Sequence, residues 1–120
     1  MRVAIPAIGT DLAARVDRSF GRCRNFIIYD LASEAVTAVP NTQNLELTQG
    51  AGIQAARTVV EQEVDCVITG HCGPKAFAAL QAGDIMVVLG ADGTVQEAID
   101  AFKAGRLKPA EQADVEGHWV

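Results

Sequence analysis

Three segments of this 120-residue chain carry groups that could bind a small anion or a metal: residues 11–25, 50–52 and 70–74. The first has a net charge of +2, because it holds four arginines against two aspartates, while the whole chain has a formal net charge of −5. A local cationic patch on an acidic protein attracts a small anion without attracting nucleic acid in general. The four arginines are Arg15, Arg18, Arg22 and Arg24.

The other two segments, Gly50-Ala51-Gly52 and Gly70-His71-Cys72-Gly73-Pro74, each open a predicted helix. Helix N-termini carry unpaired N–H groups and partial positive charge, so they bind anions, and glycine lets a ligand approach the backbone closely. Short glycine-containing loops also serve tight turns, and the arginines could be ordinary surface residues. The residues alone leave both explanations open.

Two of the three cysteines, Cys23 and Cys72, lie in these segments, and His71 adjoins the second. A thiol at a helix N-terminus has a lowered pKa and its thiolate is a soft metal ligand, while an imidazole can ligate a metal or hydrogen-bond a sulfide. Either cysteine could equally be a small core residue. Cys66 falls in the middle of a predicted strand, where a core role is favoured.

Several functional classes are excluded or disfavoured. GxxxxGK[ST], HExxH and a GxGxxG after the first strand are absent, and the adjacent pair His71–Cys72 has poor geometry for a base and nucleophile, so we expect no enzymatic activity. Ten basic against fifteen acidic residues argue against nucleic acid and membrane surfaces as partners. A short apolar start stopped by Pro6, and no long apolar run, predict a cytoplasmic protein with reduced thiols.

Short apolar runs alternate with helical stretches and predict one α/β domain. The pattern Ile53, Ala56, Val59, Val60 and Val64 predicts one helix face, and Thr94 with Glu97 predicts a capping box at the start of another. The order is β-β-β-α-β-α-β-α, and right-handed crossovers predict a mixed five-stranded sheet of order 3-2-1-4-5 with strand 2 antiparallel. The strands are expected at residues 3–7, 25–31, 35–39, 65–69 and 85–89, and the helices at 53–64, 74–82 and 95–104.

This topology gathers the three segments at one edge of the sheet. The carboxyl ends of strands 1, 3, 4 and 5 lie on the same side, and ligands of open α/β sheets bind outside such strand ends. The loops there are residues 8–24, 40–52, 70–73 and 90–93. The element order resembles the ribonuclease H topology, but residues 3–7 contain no carboxylate for a two-metal nuclease.

Four motifs follow one another in a fixed order. They are Asp17-Arg18-Ser19-Phe20-Gly21-Arg22-Cys23 followed by Phe26, then Gly50-Ala51-Gly52, then VDCVITGHCGPKA at residues 64–76, then TVQEAI at residues 94–99. This series resembles that of the dinitrogenase iron–molybdenum cofactor biosynthesis family, which includes the NifX and NifY types and the C-terminal domain of many NifB proteins. The resemblance covers residues 1–107. Residues 108–120, with Pro109 and little periodicity, are expected to form a loosely ordered tail.

The resemblance implies a ribonuclease H-like fold and a non-enzymatic protein that binds or carries an anionic metal–sulfur cluster. Residues 22–24 and 71–74 look most like the orange protein branch, which holds a molybdenum–copper sulfide cluster non-covalently. No metal ligand is assigned directly, although Cys23, His71 and Cys72 are candidates. The residues carried over as cofactor-binding are Ser19, Phe20, Gly21, Arg22, Cys23, Gly50, Ala51, Gly52, Gly70, His71, Cys72, Gly73, Pro74 and Lys75.

Two alternatives remain at this stage. The cofactor could be the iron–molybdenum cofactor or a precursor of it instead of a molybdenum–copper sulfide. The protein could also be an accessory or regulatory protein of metal-cofactor assembly, acting through a partner such as an ATPase and without stable affinity for a cluster.

Overall fold

The computed structural model describes residues 1–42 and 50–111. The sheet has the order β3-β2-β1-β4-β5, with β2 antiparallel to both neighbours and β4 and β5 parallel to β1. The predicted fold class, strand order and strand directions are therefore confirmed. The strands are β1 (Arg2–Ala7), β2 (Asn25–Asp30), β3 (Val36–Pro40), β4 (Cys66–Ile68) and β5 (Met86–Val88), and the helices are α1 (Ala51–Glu61), α2 (Pro74–Ala82) and α3 (Val95–Lys103).

An apolar layer covers each face of the sheet, because successive strand residues point to opposite faces. Ala4 and Val67 face α1 and α2, whereas Val3 and Ile68 face α3. Full burial of a valine or isoleucine side chain in these layers contributes about 1.5–3 kcal/mol to the free energy of unfolding. The two layers thus fix the sheet between its helices and hold the strand ends in place.

Helix α1 differs from its prediction at both ends. It begins at Ala51 because Gly50 adopts a left-handed conformation (φ 86°) that redirects the chain into the first turn. It ends before Glu63, whose φ of 55° turns the chain, so that Val64 reaches the core from beyond the helix. Val60 was predicted on the buried face, but it is 42% exposed. No helix in the part of the chain that the structure describes is long and apolar enough to span a membrane.

Residues 109 and 110 lie alongside β5, the outer strand of the sheet, on the side that pairs with no other strand. The Ala110 N–H donates to the Val87 carbonyl oxygen at 2.8 Å, and Pro109 forms an antiparallel bridge with Val88. Proline is tolerated there because an edge strand does not need all of its N–H groups. The predicted tail, 108–120, thus begins with residues that pair with β5. Residues 112–120 lie outside the described part.

The predicted capping box at the start of α3 is confirmed. The Thr94 hydroxyl oxygen accepts from the Glu97 N–H at 3.1 Å, and a Glu97 carboxylate oxygen accepts from the Thr94 N–H at 3.0 Å. These two bonds satisfy donors that the first turn of a helix otherwise leaves unpaired.

We predict that Thr94→Ala lowers the free energy of unfolding by about 1 kcal/mol, because the Glu97 N–H loses its acceptor. Urea denaturation of the purified protein measures this change. The matched control is Thr58→Ala in α1, where the hydroxyl only donates to the Gln54 carbonyl oxygen at 3.2 Å within the helix. Alanine has the higher helix propensity, so this control should lose no stability. Equal losses in the two variants would contradict the capping role.

Candidate functional site

The loop between β1 and β2, residues 8–24, is called the arginine loop. It folds back over the strand ends and is held there by backbone hydrogen bonds. The Asp17 N–H donates to the Pro6 carbonyl oxygen, and the His71 N–H donates to the Arg18 carbonyl oxygen, each at 2.9 Å. Ser19 and His71 form a parallel bridge. The first and third sequence segments predicted to act together, 17–23 and 70–75, are therefore adjacent in space.

Gly70 permits this contact because it has no side chain. A Cβ atom at this position would lie 3.1 Å from both the Cα and Cβ atoms of Arg18 and 3.2 Å from the Arg18 carbonyl oxygen. These distances are tighter than most real Cβ contacts, so a side chain at this position would force the Arg18 backbone to shift by a few tenths of an ångström. Gly70 is thus favoured by the close approach of two backbones and not by an unusual φ angle.

Asn41 holds the other end of the same loop. Its side-chain Nδ2 donates to the Cys23 carbonyl oxygen at 2.9 Å and lies 3.4 Å from the Gly21 carbonyl oxygen, and its N–H donates to the Arg24 carbonyl oxygen at 2.9 Å. Asn41 is only 7% exposed, so these bonds form in the interior. The sequence patterns do not single out Asn41, because a buried amide that bonds a distant loop leaves no periodic signal.

Phe20 anchors the middle of the loop in the core. It is almost fully buried, and its ring packs at a tilt against Phe26 with 5.4 Å between the ring centroids. Its aromatic side chain is therefore occupied by packing, and the flanking residue Arg22 is left exposed at the surface. Within the motif Phe20-Gly21-Arg22, the first side chain is thus buried in the core and the third, a cation, is exposed.

Both glycine-led helices begin at this edge of the sheet. Gly50 precedes α1 and Gly73 precedes α2, with Pro74 at the first helical position, so neither helix has a side-chain cap on its N–H groups. Ala51 and Gly52 are buried. These segments therefore face the edge with backbone N–H groups and partial positive charge.

The three cysteines, Cys23, Cys66 and Cys72, are buried thiols that form no disulfide with one another. Burial raises the pKa of the Cys23 thiol above its ordinary value, and the nearby Asp17 carboxylate raises it further, although the hydrogen bond from Asn41 opposes this. Burial, and then Asp65, raises the pKa of the Cys66 thiol to about 12. Cys72, 1% exposed, belongs to the same core cluster as Cys23, and its Sγ lies 3.6 Å from the Gly73 carbonyl oxygen. Cys23 and Cys66 are thus neutral thiols at pH 7, and a thiol is a weaker metal ligand than a thiolate.

The side chains of Arg18 and His71 are paired. The Arg18 Nη2 atom lies 3.0 Å from the His71 Nε2 atom. Arg18 is exposed and His71 is half-buried, so the pair lies at the surface of the edge. Arg18 is one of the four loop arginines of the sequence, but it is not among the residues predicted to bind the cofactor.

The predicted site residues fall into three groups by exposure. Two of the three exposed members are positively charged, two of the three half-buried ones form the bridge between the loops, and the buried ones pack or bring backbone atoms close. Exposed are Arg22, Pro74 and Lys75; half-buried are Ser19, Gly50 and His71; buried are Phe20, Gly21, Cys23, Ala51, Gly52, Gly70, Cys72 and Gly73.

The family model for the dinitrogenase iron-molybdenum cofactor matches residues 1–105. The chain belongs to this family. The resemblance derived from the four motifs is therefore confirmed, and the first three motifs supply the segments of the edge just described. No curated protein matches the chain.

Solved structures agree with the family assignment. The apo form of the orange protein from Desulfovibrio gigas is 37% identical, with a TM-score of 0.91, 95% of this chain covered and 96% of the relative. A NifB-like protein of Thermotoga from the DUF35 family is 39% identical, with a TM-score of 0.81 and coverages of 97% and 98%. A dinitrogenase-like protein from Methanocaldococcus jannaschii, 18% identical with a TM-score of 0.67 and coverages of 93% and 96%, shares the fold.

In this family member the edge is rich in donors and poor in metal ligands. Within residues 1–42 and 50–111, no three His, Cys, Asp or Glu side chains are grouped so that they could hold a metal ion. The groups that the edge does present are guanidinium, ammonium and backbone N–H. Such groups bind an anion through charge-assisted hydrogen bonds.

We predict that Gly70→Ala displaces residues 17–23 from the edge, because its Cβ would press on the Arg18 backbone. Overpacking of this kind costs about 1–3 kcal/mol. Amide hydrogen exchange should accelerate in residues 17–23 while the strands stay protected.

The control for this variant is Gly83→Ala, where the new Cβ would meet the Val60 Cγ2 atom at 3.1 Å, the end of a half-exposed side chain that can move. Unchanged exchange of residues 17–23 in the Gly70 variant would show that the close approach does not hold the loop.

Proposed function

We propose that this protein binds and carries an anionic metal–sulfur cluster, held without covalent bonds, and that the cluster is a molybdenum–copper sulfide. The observation that carries the proposal is the packing of residues 17–23 of the arginine loop against residues 70–75 at the glycine-led start of α2. This packing joins cationic side chains and an uncapped helix N-terminus at one surface. Family membership and the 37% identity to the orange protein support it.

The charge of this surface fits a polyanion. Arg22 and Lys75 are exposed on the two facing segments, and the rest of the chain is strongly acidic. A polyanion is therefore attracted to this edge and repelled elsewhere, which favours one binding location over general adhesion. Each charge-assisted hydrogen bond formed there contributes about 1.5–3 kcal/mol.

The state of the cysteines fits a non-covalent mode of binding. Cys23 is buried as a neutral thiol, with Asn41 Nδ2 3.6 Å from its Sγ atom. Ligation by this sulfur would need both deprotonation and exposure of the loop interior. A sulfide cluster brings its own sulfur ligands, so the cradle needs only donors and apolar edges. We therefore place Ser19–Cys23, Gly50–Gly52 and Gly70–Lys75 around the cluster as a cradle of donors and small residues.

The same chemistry supports a carrier over a catalyst. The best candidate base, His71, is paired with Arg18 through Nε2, and the Cys23 thiol is protonated in the core.

A carrier must also release its cargo to a cofactor-assembly partner. Ile8, 48% exposed immediately after β1 and hydrogen-bonded through its N–H to the Arg15 carbonyl oxygen, offers an apolar contact for that partner beside the arginine loop.

We predict that the apoprotein, mixed with tetrathiomolybdate and copper and then desalted, retains visible absorption with a fixed metal-to-protein ratio. Arg22→Gln should weaken retention about tenfold or more, because one charge-assisted contact is lost. Arg57→Gln, which removes the same charge from the exposed surface of α1, is the control and should behave as wild type.

Each arm of this experiment has a contrary outcome. A wild-type sample that is folded but colourless after desalting would contradict the molybdenum–copper cargo. In that case the same assay with an iron–molybdenum precursor tests the family's other cofactor. Equal retention by the Arg22 and Arg57 variants would contradict the proposed location.

A further inference from the structure

We infer that Arg18 binds the cargo and that His71 is its positioning residue, which accepts a hydrogen bond from Arg18 and does not ligate a metal. Neither role was predicted from the sequence, where His71 was a candidate ligand and Arg18 was outside the site. The cargo-binding part rests on the function proposed above. The pairing of the two side chains does not, and it can be tested separately.

Backbone contacts hold Arg18 and His71 next to each other independently of their side chains. The His71 N–H donates to the Arg18 carbonyl oxygen at 2.9 Å, and the adjacent Gly70 admits the Arg18 backbone at contact distance. Both Cα positions are therefore fixed. The side-chain hydrogen bond then costs only the ordering of the Arg18 side chain, which favours its formation at an exposed surface.

The chemistry of the pair sets the tautomer of His71. A guanidinium has five N–H donors and no acceptor, so the His71 Nε2 atom, 3.0 Å from Arg18 Nη2, must be the acceptor. A neutral imidazole that accepts at Nε2 carries its proton on Nδ1. The Nε2 lone pair is then directed at Arg18, and a metal could use this nitrogen only by displacing the guanidinium.

The pair leaves Arg18 equipped to bind an anion. One N–H is used by His71, and the remaining donors belong to a planar fork at the surface of the edge. A fork held in one orientation loses less entropy when it binds the edge of an anionic sulfide than a freely rotating side chain loses. His71 therefore acts on the cargo through the orientation of Arg18.

The first test is the tautomer of His71 in the apoprotein, measured by nitrogen-15 NMR in slightly alkaline buffer, where a free imidazole is neutral. His118 is the chain's other histidine, so a His118→Gln variant assigns the signals. The wild type should show the Nδ1–H tautomer at His71, and Arg18→Gln should shift the nitrogen-15 resonance of Nε2, which loses its donor. An Nε2–H tautomer in the wild type would overturn the pairing.

The second test is cluster retention after mixing with tetrathiomolybdate and copper. Arg18→Gln and His71→Leu should each weaken retention about tenfold, because the oriented guanidinium is lost. His71→Gln should weaken it much less, because its amide oxygen can accept from Arg18 as Nε2 does. Arg57→Gln is again the control for lost charge.

The outcomes separate this inference from the function on which it rests. If His71→Gln is as damaging as His71→Leu while Arg18→Gln is harmless, His71 is a metal ligand and the positioning role is wrong. If the folded wild type retains no cluster, the proposed function and the cargo-binding role of Arg18 both fail. The NMR measurement still decides the pairing in that case, since it uses no cargo.

Discussion

The candidate site depends on the approach of one backbone to another, where the chain at Arg18 passes over Gly70. Asn41 holds the far end of the arginine loop, and this approach holds the part of the loop around Arg18. Two hydrogen bonds, from Asp17 to Pro6 and from His71 to Arg18, and the buried ring of Phe20 hold the same part of the loop. The missing side chain at Gly70 therefore lets a cationic segment lie directly against the start of α2.

The same close approach divides the site into a buried side and a solvent-exposed side. Phe20, Cys23 and Cys72 face the core, where the sulfur atoms are shielded, while Arg22 and Lys75 face solvent. An edge arranged in this way attracts anions through cations and N–H groups. The cysteine sulfur atoms are buried, and this fits the non-covalent binding proposed above.

Sequence patterns predict the architecture well because the fold rests on burial periodicity. The apolar runs of β1, β4 and β5 and the capping box of α3 are local signals, and the strand order follows from the handedness of crossovers. The family motifs are local signals of the same kind, since each lies in a loop, at a strand end or at the start of a helix. The end of α1 is less predictable, because Val64 continues the helical pattern although Glu63 has already turned the chain.

The site itself is only partly encoded in local patterns. Asn41 bonds a loop eighteen residues away, and no spacing rule connects an amide after β3 with the carbonyl groups of residues 21–24. The burial of Cys23 depends equally on that long-range packing, so its type and position suggest a ligand while its environment indicates a neutral thiol. Sequence identifies the segments, whereas their mutual approach decides which side chains face the cargo.

The most direct test of the central claim is amide chemical-shift mapping of the protein titrated with tetrathiomolybdate and copper. The account predicts shifts concentrated in residues 18–23 and 70–75, with smaller changes at residues 50–52. Shifts concentrated at the opposite edge of the sheet, near residues 31–35 and 62–65, or spread evenly over the surface, would contradict it.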